Sequence, residues 1–294
     1  MQPARTHNSD QHGQTNVHIL QQRRSVCLAA MTLGLLAVLA APEAWAAEPQ
    51  QQGFRFVQLC DTQLGFGAAG YESDVESFRQ AVRQINQIKP DFAVICGDLV
   101  NTPTADAIAD FKEVLSEFKV PCYCAPGNHD VGGPLDQKKL DQYRKTIGKD
   151  YYSFEHKGYT FVVVNTQLWK SPAEPEASKH DSWFVETLRR AAGNSNPIFV
   201  VGHHPLFIRD ADEKEAYFNI PTERRKELLD LFLQQGVVAM LTGHTHRVCD
   251  NRHQGILLFG GETTSKNFDK RPLGFRLWEV DAPDSIRHKF IPLD

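Results

Sequence analysis

Apolar runs of strand character alternate along most of the chain with stretches in which apolar residues recur every three or four positions. After the strand-like run "FRFVQLC" at 54–60, a helical spacing of apolar residues covers 73–88, and Pro90 ends that helix. The same pattern predicts strands within residues 91–98, 120–130, 151–156, 159–167, 197–205 and 237–246, and helices over 105–118, 136–147, 179–193 and 222–235.

The order of these elements indicates the fold class. Strands alternate with helices along the first part of the chain, apart from a hairpin around Lys157 and Gly158. From Val248 onward only strand-like pieces remain, at 255–261, 274–280 and 285–293. Alternation followed by consecutive strands is typical of parallel pairing first and antiparallel pairing later, so we predict an α/β fold with a mixed sheet and helices outside it.

The first 46 residues have the pattern of an export signal. Arg23 and Arg24 precede an apolar run at 26–41, and Ala44-Trp45-Ala46 has the small residues that a signal peptidase accepts. The run is shorter than the roughly 20 apolar residues of a membrane span. We expect cleavage after residue 46, a linker at 47–53 and a domain at 54–294, in the bacterial periplasm or secreted. Sec or twin-arginine export and an uncleaved anchor stay open.

Charge narrows the range of partners. The full chain has a formal net charge of −4, and removal of the segment with Arg5, Arg23, Arg24, Asp10 and Glu43 takes it to −5. Proteins that bind nucleic-acid backbones are usually basic. We therefore expect no nucleic-acid partner, which disfavours a nuclease, and no stable membrane span after cleavage. The oligomeric state is left open.

The cysteines favour packing over metal binding. Five follow residue 46, and none of them forms a Cys-x-x-Cys pair: Cys60, Cys96, Cys122, Cys124 and Cys249. Four lie on predicted buried strands, where cysteine usually acts as a small hydrophobic residue. A disulfide between two of them stays open, because sequence does not provide the geometry.

Polar residues follow one strand after another. The strands end in "CDTQ", "CGD", "GNHD", "GHH" and "GHTH", and each of these endings alone is weak as a sign of a site. In open α/β sheets the carboxyl ends of parallel strands meet at one crevice. We therefore expect the following side chains to meet there: Asp61, Gln63, Asp98, Asn128, His203, His244 and His246.

The donor set indicates a metal site. Imidazoles with carboxylates and carboxamides suit Zn, Fe, Mn or Ni, and seven donors are too many for one tetrahedral zinc. Two metals roughly 3.5–4 Å apart that share a carboxylate would use them, an arrangement typical of phosphoryl transfer. We expect Asp98, on a middle strand, to be the bridge. Mn, Fe and Zn all remain candidates.

These motifs, in this order and spacing, resemble the calcineurin-like metallophosphoesterase superfamily over nearly all of residues 54–293. The resemblance implies a four-layer α/β/β/α sandwich of two mixed sheets and metal-dependent hydrolysis of phosphoric esters. It implies that a hydroxide bridging the two metals attacks phosphorus. The ligand sets that it implies are Asp61, Asp98 and His246 for the first metal and Asp98, Asn128, His203 and His244 for the second.

The resemblance also implies roles beside the metals. His129 would stabilise the phosphoryl oxygens and protonate the leaving oxygen, and Asp130 would orient His129 and keep it cationic. Gln63 departs from the superfamily, which usually has His there, so the first metal should be held less tightly. We expect the amide oxygen of Gln63 to point at that metal.

The Asp-x-Gln variant, with "GHHPLF" and "YFNIP", is similar to the branch that includes calcineurin-like phosphoesterase domain-containing protein 1 of animals. That branch is associated with serine/threonine phosphoprotein phosphatase activity. The leading hypothesis is a phosphomonoesterase acting on a small molecule or a phosphoprotein. Arg209 and Lys266 are candidate cations for the dianionic phosphate, although a solvated surface position is the more common role of such residues. The alternatives are a phosphodiesterase acting on cyclic nucleotides or lipid headgroups, and a non-catalytic binding protein on a disabled scaffold.

Overall fold

A computed structural model of the protein describes residues 53–294. The expected export signal at 1–46, and all of the linker except Gly53, lie outside the described residues. Within the described range, every helix is too short or too polar to span a bilayer.

Eleven strands and seven helices make up this part of the chain. The strands are β1 (Phe54–Leu59), β2 (Phe92–Cys96), β3 (Cys122–Ala125), β4 (Tyr152–His156), β5 (Tyr159–Val163), β6 (Ile198–Val201), β7 (Val237–Thr242), β8 (Cys249–His253), β9 (Ile256–Gly260), β10 (Gly274–Ala282) and β11 (Ser285–Pro292). The helices are α1 (Tyr71–Ile88), α2 (Ala105–Ser116), α3 (Asn128–Val131), α4 (Gln137–Thr146), α5 (Gln167–Lys170), α6 (Glu176–Gly193) and α7 (Thr222–Gln235).

The strands form two mixed sheets. A five-stranded sheet has the order β11-β10-β1-β2-β3, and a six-stranded sheet has the order β4-β5-β6-β7-β9-β8. In the first, β1, β2 and β3 run parallel, and β10 lies antiparallel to β1. In the second, β5, β6, β7 and β9 run parallel between the antiparallel edge strands β4 and β8.

Strand β1 shows how the layers are built. Because side chains alternate across a strand, Phe54 and Phe56 face the second sheet, while Val57 and Leu59 face helices α1 and α2. A third apolar core lies on the far side of the second sheet, against α6 and α7. Three cores between four layers confirm the expected α/β/β/α sandwich.

Most predicted elements are present, and the three that the sequence pattern missed are short or polar. Strand β8 is an edge strand in which only Cys249 is buried, so it lacks the apolar alternation by which a strand is recognised. Helices α3 and α5 are single turns of four residues. Helix α6 begins at Glu176, three residues before its predicted start.

The five cysteines of the described range are free thiols, and all except Cys122 are buried. Cys60 donates its thiol hydrogen to the carbonyl oxygen of Thr242 at 3.2 Å, which joins the end of β1 to the end of β7. The disulfide that the sequence left open is therefore absent among these residues, and the packing interpretation accounts for the buried thiols.

Candidate metal centre

The carboxyl ends of five parallel strands bring the expected side chains to one edge of the sandwich. Asp61 follows β1, Asp98 follows β2 and Asn128 follows β3, all in the first sheet. His203 follows β6, and His244 and His246 follow β7, in the second sheet. The site thus lies where the edges of the two sheets meet.

The main chain bends sharply at most of these residues. Five of the seven candidate ligands have a positive φ, a region that side chains other than glycine seldom adopt. They are Asp61 (47°), Gln63 (33°), Asp98 (48°), His244 (68°) and His246 (52°). Such conformations cost about 1–3 kcal/mol each and occur where surrounding structure enforces them, commonly at functional sites. The strain concentrates at the strand ends that carry the donors.

Two glycines let these strand ends approach one another. A Cβ atom at Gly127 would overlap the carboxylate and the main-chain nitrogen of Asp98, and one at Gly243 would overlap the carboxylate of Asp61. The glycines of "GNHD" and "GHTH" therefore provide room for the two aspartates.

Asp98, His203 and His244 form the tightest group. One ligand atom from each lies within 4.8 Å of the others, and all three residues are buried. The Oδ1 atom of Asn128 lies 3.1 Å from Nε2 of His203, and Oδ2 of Asp98 lies 3.3 Å from the same nitrogen. These are the residues expected to hold the second metal, and the structure places them together.

Main-chain carbonyl groups determine which ring nitrogen each histidine offers. Nδ1 of His203 donates to the carbonyl oxygen of Cys96 at 2.8 Å, and Nδ1 of His246 donates to that of Lys266 at 2.6 Å. Nε2 of His244 contacts the carbonyl oxygen of Tyr217 at 3.4 Å. Because a carbonyl oxygen only accepts, the other nitrogen of each ring is left to bind a metal.

Two of these free nitrogens face each other. Nε2 of His203 lies 3.1 Å from Nδ1 of His244, and two lone pairs at that distance need a proton or a metal ion between them. Burial opposes a charge on His203, but Asp98 outweighs it and raises the pKa of His203 to about 10. Burial, together with the charge of His203, lowers the pKa of His244 to about 3. The facing ring nitrogens of His203 and His244 are therefore suited to bind a metal cation between them.

Asp61 and His246 make up the other part of the site. Nε2 of His246 lies 3.5 Å from Oδ1 of Asp61, whose two carboxylate oxygens also accept the main-chain N–H of His244 at 3.1 and 3.0 Å. Burial raises the pKa of Asp61, and the charge of Asp98 raises it further. Asp61 and His246 are as buried as the first group, and their ligand roles stay predictions.

Gln63 is almost fully buried, at 1% exposure. Its main-chain N–H donates to the carbonyl oxygen of Asp98 at 2.9 Å, and its side-chain nitrogen lies 3.5 Å from Oδ1 of Asn101. Its Oε1 atom has no hydrogen-bond partner in the described part of the protein. A buried acceptor without a partner is costly, which is consistent with an oxygen that binds a cation.

The structure corrects the role expected for Asp130. Its carboxylate accepts main-chain N–H groups of Gly127 at 2.8 Å and Leu99 at 3.0 Å, so it holds two strand-end loops together. Burial and the charge of Asp98 raise its pKa to about 7. Nδ1 of His129 instead lies 2.8 Å from the carbonyl oxygen of Asn101. The expectation that Asp130 orients His129 was wrong, because the carboxylate points beneath the loop.

Sequence reasoning missed three aromatic rings around the site. Phe66 lies 5.0 Å from the ring of His246, and Phe268 lies 4.7 Å from the same ring. Tyr217 lies 5.0 Å from the ring of His244. Tyr217 stands within the motif "YFNIP" quoted above, and Phe66 follows "CDTQ" by three residues. An aromatic residue near a motif does not by itself predict contact with a ligand. Phe268 has no sequence signal.

Comparison with known proteins identifies the family. The family model for calcineurin-like phosphoesterases matches residues 54–248. The serine/threonine-protein phosphatase CPPED1 of Bos taurus is 30% identical over 86% of this chain and 88% of its own length. The 3',5'-cyclic adenosine monophosphate phosphodiesterase CpdA of Haemophilus influenzae is 26% identical over 72% of this chain and 78% of its own.

A solved structure shows the same fold. The dimetal phosphatase from Danio rerio superposes with a TM-score of 0.57 at 14% identity and covers 82% of this chain and 99% of its own. The two-sheet sandwich, the donors at its strand ends and the family match agree. The chain belongs to the calcineurin-like phosphoesterase family, enzymes that hydrolyse phosphoric esters at a binuclear metal centre.

Proposed function

We propose that the protein is a phosphomonoesterase whose substrate is a small phosphate ester or a phosphoprotein. The observation that carries the proposal is the 30% identity to the serine/threonine-protein phosphatase CPPED1 over 86% of this chain. The candidate acid His129 lies next to the metal group. The main-chain N–H of His129 donates to Oδ1 of Asp98 at 2.9 Å, while the ring itself is outside the donor set. The site therefore combines a place for cations with a separate acid.

The chain's own residues divide into two sets of ligands. Asp61, Gln63, Asp98 and His246 would hold one metal. Asp98, Asn128, His203 and His244 would hold the other. The metals, when bound, polarise the phosphoryl oxygens and lower the pKa of water enough for it to act as the nucleophile. Mn, Fe and Zn all suit these donors, and metal availability decides among them.

His129 is placed to move a proton. Nδ1 is occupied by the carbonyl oxygen of Asn101, so Nε2 carries the transferable proton. The residue is only half-buried, in contrast to the buried histidines of the donor set. Protonated His129 would donate a hydrogen bond to a phosphoryl oxygen and then give its proton to the leaving oxygen, a step typically worth about 10²–10⁴ in rate.

The similarity to CPPED1 supports a phosphomonoester, and a serine/threonine phosphoprotein within that class. The similarity to CpdA supports the alternative, a phosphodiesterase acting on cyclic nucleotides. Turnover of p-nitrophenyl phosphate and bis-p-nitrophenyl phosphate by the same metal-loaded sample separates them. We expect the monoester to be the better substrate. A strong preference for the diester would reject the proposal.

His129→Ala separates an enzyme from a binding protein on a disabled scaffold. We expect this variant to retain its metal and lose at least about a hundredfold in kcat, because the acid is absent while the ligands remain. An unchanged kcat would reject the assignment of His129. If the parent and the variant both bind metal and both are inactive, the result would favour a non-catalytic binding protein.

The N-terminal pattern supports a location outside the cytoplasm. We propose that residues 1–46 direct export and are removed, so that the enzyme acts in the bacterial periplasm or is secreted. Amino-terminal sequencing of protein from a periplasmic fraction tests this. A first residue close to Ala47 is expected, and an intact start at Met1 would reject cleavage.

A further inference from the structure

Two large apolar side chains stay exposed in the described part of the chain: Tyr217, at 63%, and Phe268, at 37%. Both lie at the metal centre. The ring of Tyr217 is 5.0 Å from that of His244, and the ring of Phe268 is 4.7 Å from that of His246. Exposed apolar surface concentrated at one place commonly marks a binding site.

Tyr217 and Phe268 lie on the exposed surface around the metal centre, which we call the mouth of the site. On the Phe268 side, the mouth also contains Phe66. The two phenylalanine rings are 6.1 Å apart at 60° to each other, and Phe66 lies 6.3 Å from the ring of His129 at 63°. Both rings are attached to ligand loops, because Phe268 donates its main-chain N–H to the carbonyl oxygen of His246 and Phe66 donates to that of Gln63. The pair therefore extends from His129, the candidate acid, to His246, an expected ligand of the first metal.

An exposed lysine lies over both rings of this pair. The ammonium nitrogen of Lys266 lies 5.7 Å from the centroid of each ring, and Lys266 is exposed. One face of Phe268 stacks on the ring of His246 at 23°, and the exposed Lys266 is the cation over both phenylalanine rings. Lys266 can exchange this cation–π contact for an ion pair with a bound phosphate dianion.

We propose that Phe66 and Phe268 form a subsite for an aromatic leaving group, so that the enzyme prefers aryl phosphomonoesters, with phosphotyrosine as the protein example, to alkyl ones. The proposal rests on the phosphomonoesterase function. Within that function it favours aryl esters over the alkyl esters of serine and threonine that the similarity to CPPED1 supports. The leaving oxygen must lie within hydrogen-bond reach of His129, and Phe66 is beside His129. A ring bonded directly to that oxygen therefore meets the pair, whereas an alkyl group presents no flat π face.

The test compares phenyl phosphate with cyclohexyl phosphate, which has a similar size and no π system. The values of kcat/KM are measured for the parent, Phe66→Leu and Phe268→Leu, with metal content determined on each sample. Dividing the change for one substrate by the change for the other removes the different intrinsic reactivities of the two esters. Leucine keeps an apolar side chain, so the ratio reports the loss of the aromatic contact.

We expect each substitution to lower kcat/KM for phenyl phosphate about two- to twelvefold more than for cyclohexyl phosphate, the range of one aromatic pair. Tyr217→Leu, which removes the exposed ring on the opposite side, should change both substrates by the same factor. Equal losses in the phenylalanine variants would overturn the subsite and leave the phosphomonoesterase function intact. Failure of the metal-loaded parent to hydrolyse either ester would overturn both.

Discussion

Replacing Gln63 by methionine tests whether its amide oxygen binds a metal. Methionine has a similar length and can fill the same buried space without a polar atom. The oxygen that it removes has no hydrogen-bond partner within the described residues, and the amide nitrogen makes only a long contact of 3.5 Å with Asn101. The substitution therefore removes an unpaired acceptor at the cost of one weak hydrogen bond.

The metal-free and metal-loaded proteins should respond in opposite directions. An unpaired buried acceptor costs about 1–3 kcal/mol, so the metal-free Gln63→Met variant should gain about 1 kcal/mol, or about 2–4 °C in Tm for a domain of this size. Removing a residue that only hydrogen-bonds to a metal ligand costs about 10–100-fold in metal affinity. Removing Gln63, if it is itself a ligand, should therefore cost at least tenfold. Each tenfold loss removes about 1.4 kcal/mol of metal-linked stability.

Thermal unfolding with excess chelator and with saturating Mn, and calorimetric titration of the metal, measure the two effects. Gln167→Met is the matched control, because Gln167 is also buried, at 2% exposure, with an unpaired Oε1 atom and no expected ligand role. The control should gain metal-free stability and keep its metal affinity. If Gln63→Met also keeps the parent's metal affinity, Gln63 is not a ligand and the reasoning from the unpaired oxygen fails.

Three further predictions follow from the same geometry. Gly127→Ala should lose at least about 1–3 kcal/mol of stability and part of its metal, because the added Cβ overlaps Asp98. The control Gly193→Ala, with open space around the added atom, should unfold like the parent. Equal Tm values for the two variants would contradict this. His129→Gln should lower kcat by about 10²–10⁴ with unchanged metal stoichiometry, and a loss of metal instead would make His129 a ligand. Metal affinity should rise about tenfold per pH unit between pH 7 and 9. The reason is that His203, with a pKa of about 10, carries a proton in this range that the metal must displace. An affinity independent of pH would refute this.

The polar strand ends made the location of the site predictable. In a parallel sheet, the carboxyl ends of strands lie at one edge whatever the details of packing, so Asp61 was expected near Asp98 in one sheet and His203 near His244 in the other. The strand-like run at 54–60 similarly predicted β1, in which Phe56 and Val57 are buried on opposite faces of the sheet. These inferences depend only on periodicity and chain direction.

What sequence could not provide depends on angles and on distant contacts. Asp130 follows His129 directly, and only the turn of α3 sends its carboxylate beneath the loop toward Leu99. The positive φ values of His244 and His246 are likewise enforced by the surrounding structure, and the residue types do not indicate them. Strand β8 forms because β9 offers it an edge, although its own residues have little strand character.

The carbonyl groups that orient the three histidines belong to Cys96, Tyr217 and Lys266, and every amino acid carries such a group. Mutation of these positions changes a side chain and leaves the acceptor in place. Two of the three, Tyr217 and Lys266, are also residues whose side chains face the mouth of the site. A single substitution at Tyr217 or Lys266 therefore alters the surface that a substrate meets, while the carbonyl oxygen that orients the histidine is kept.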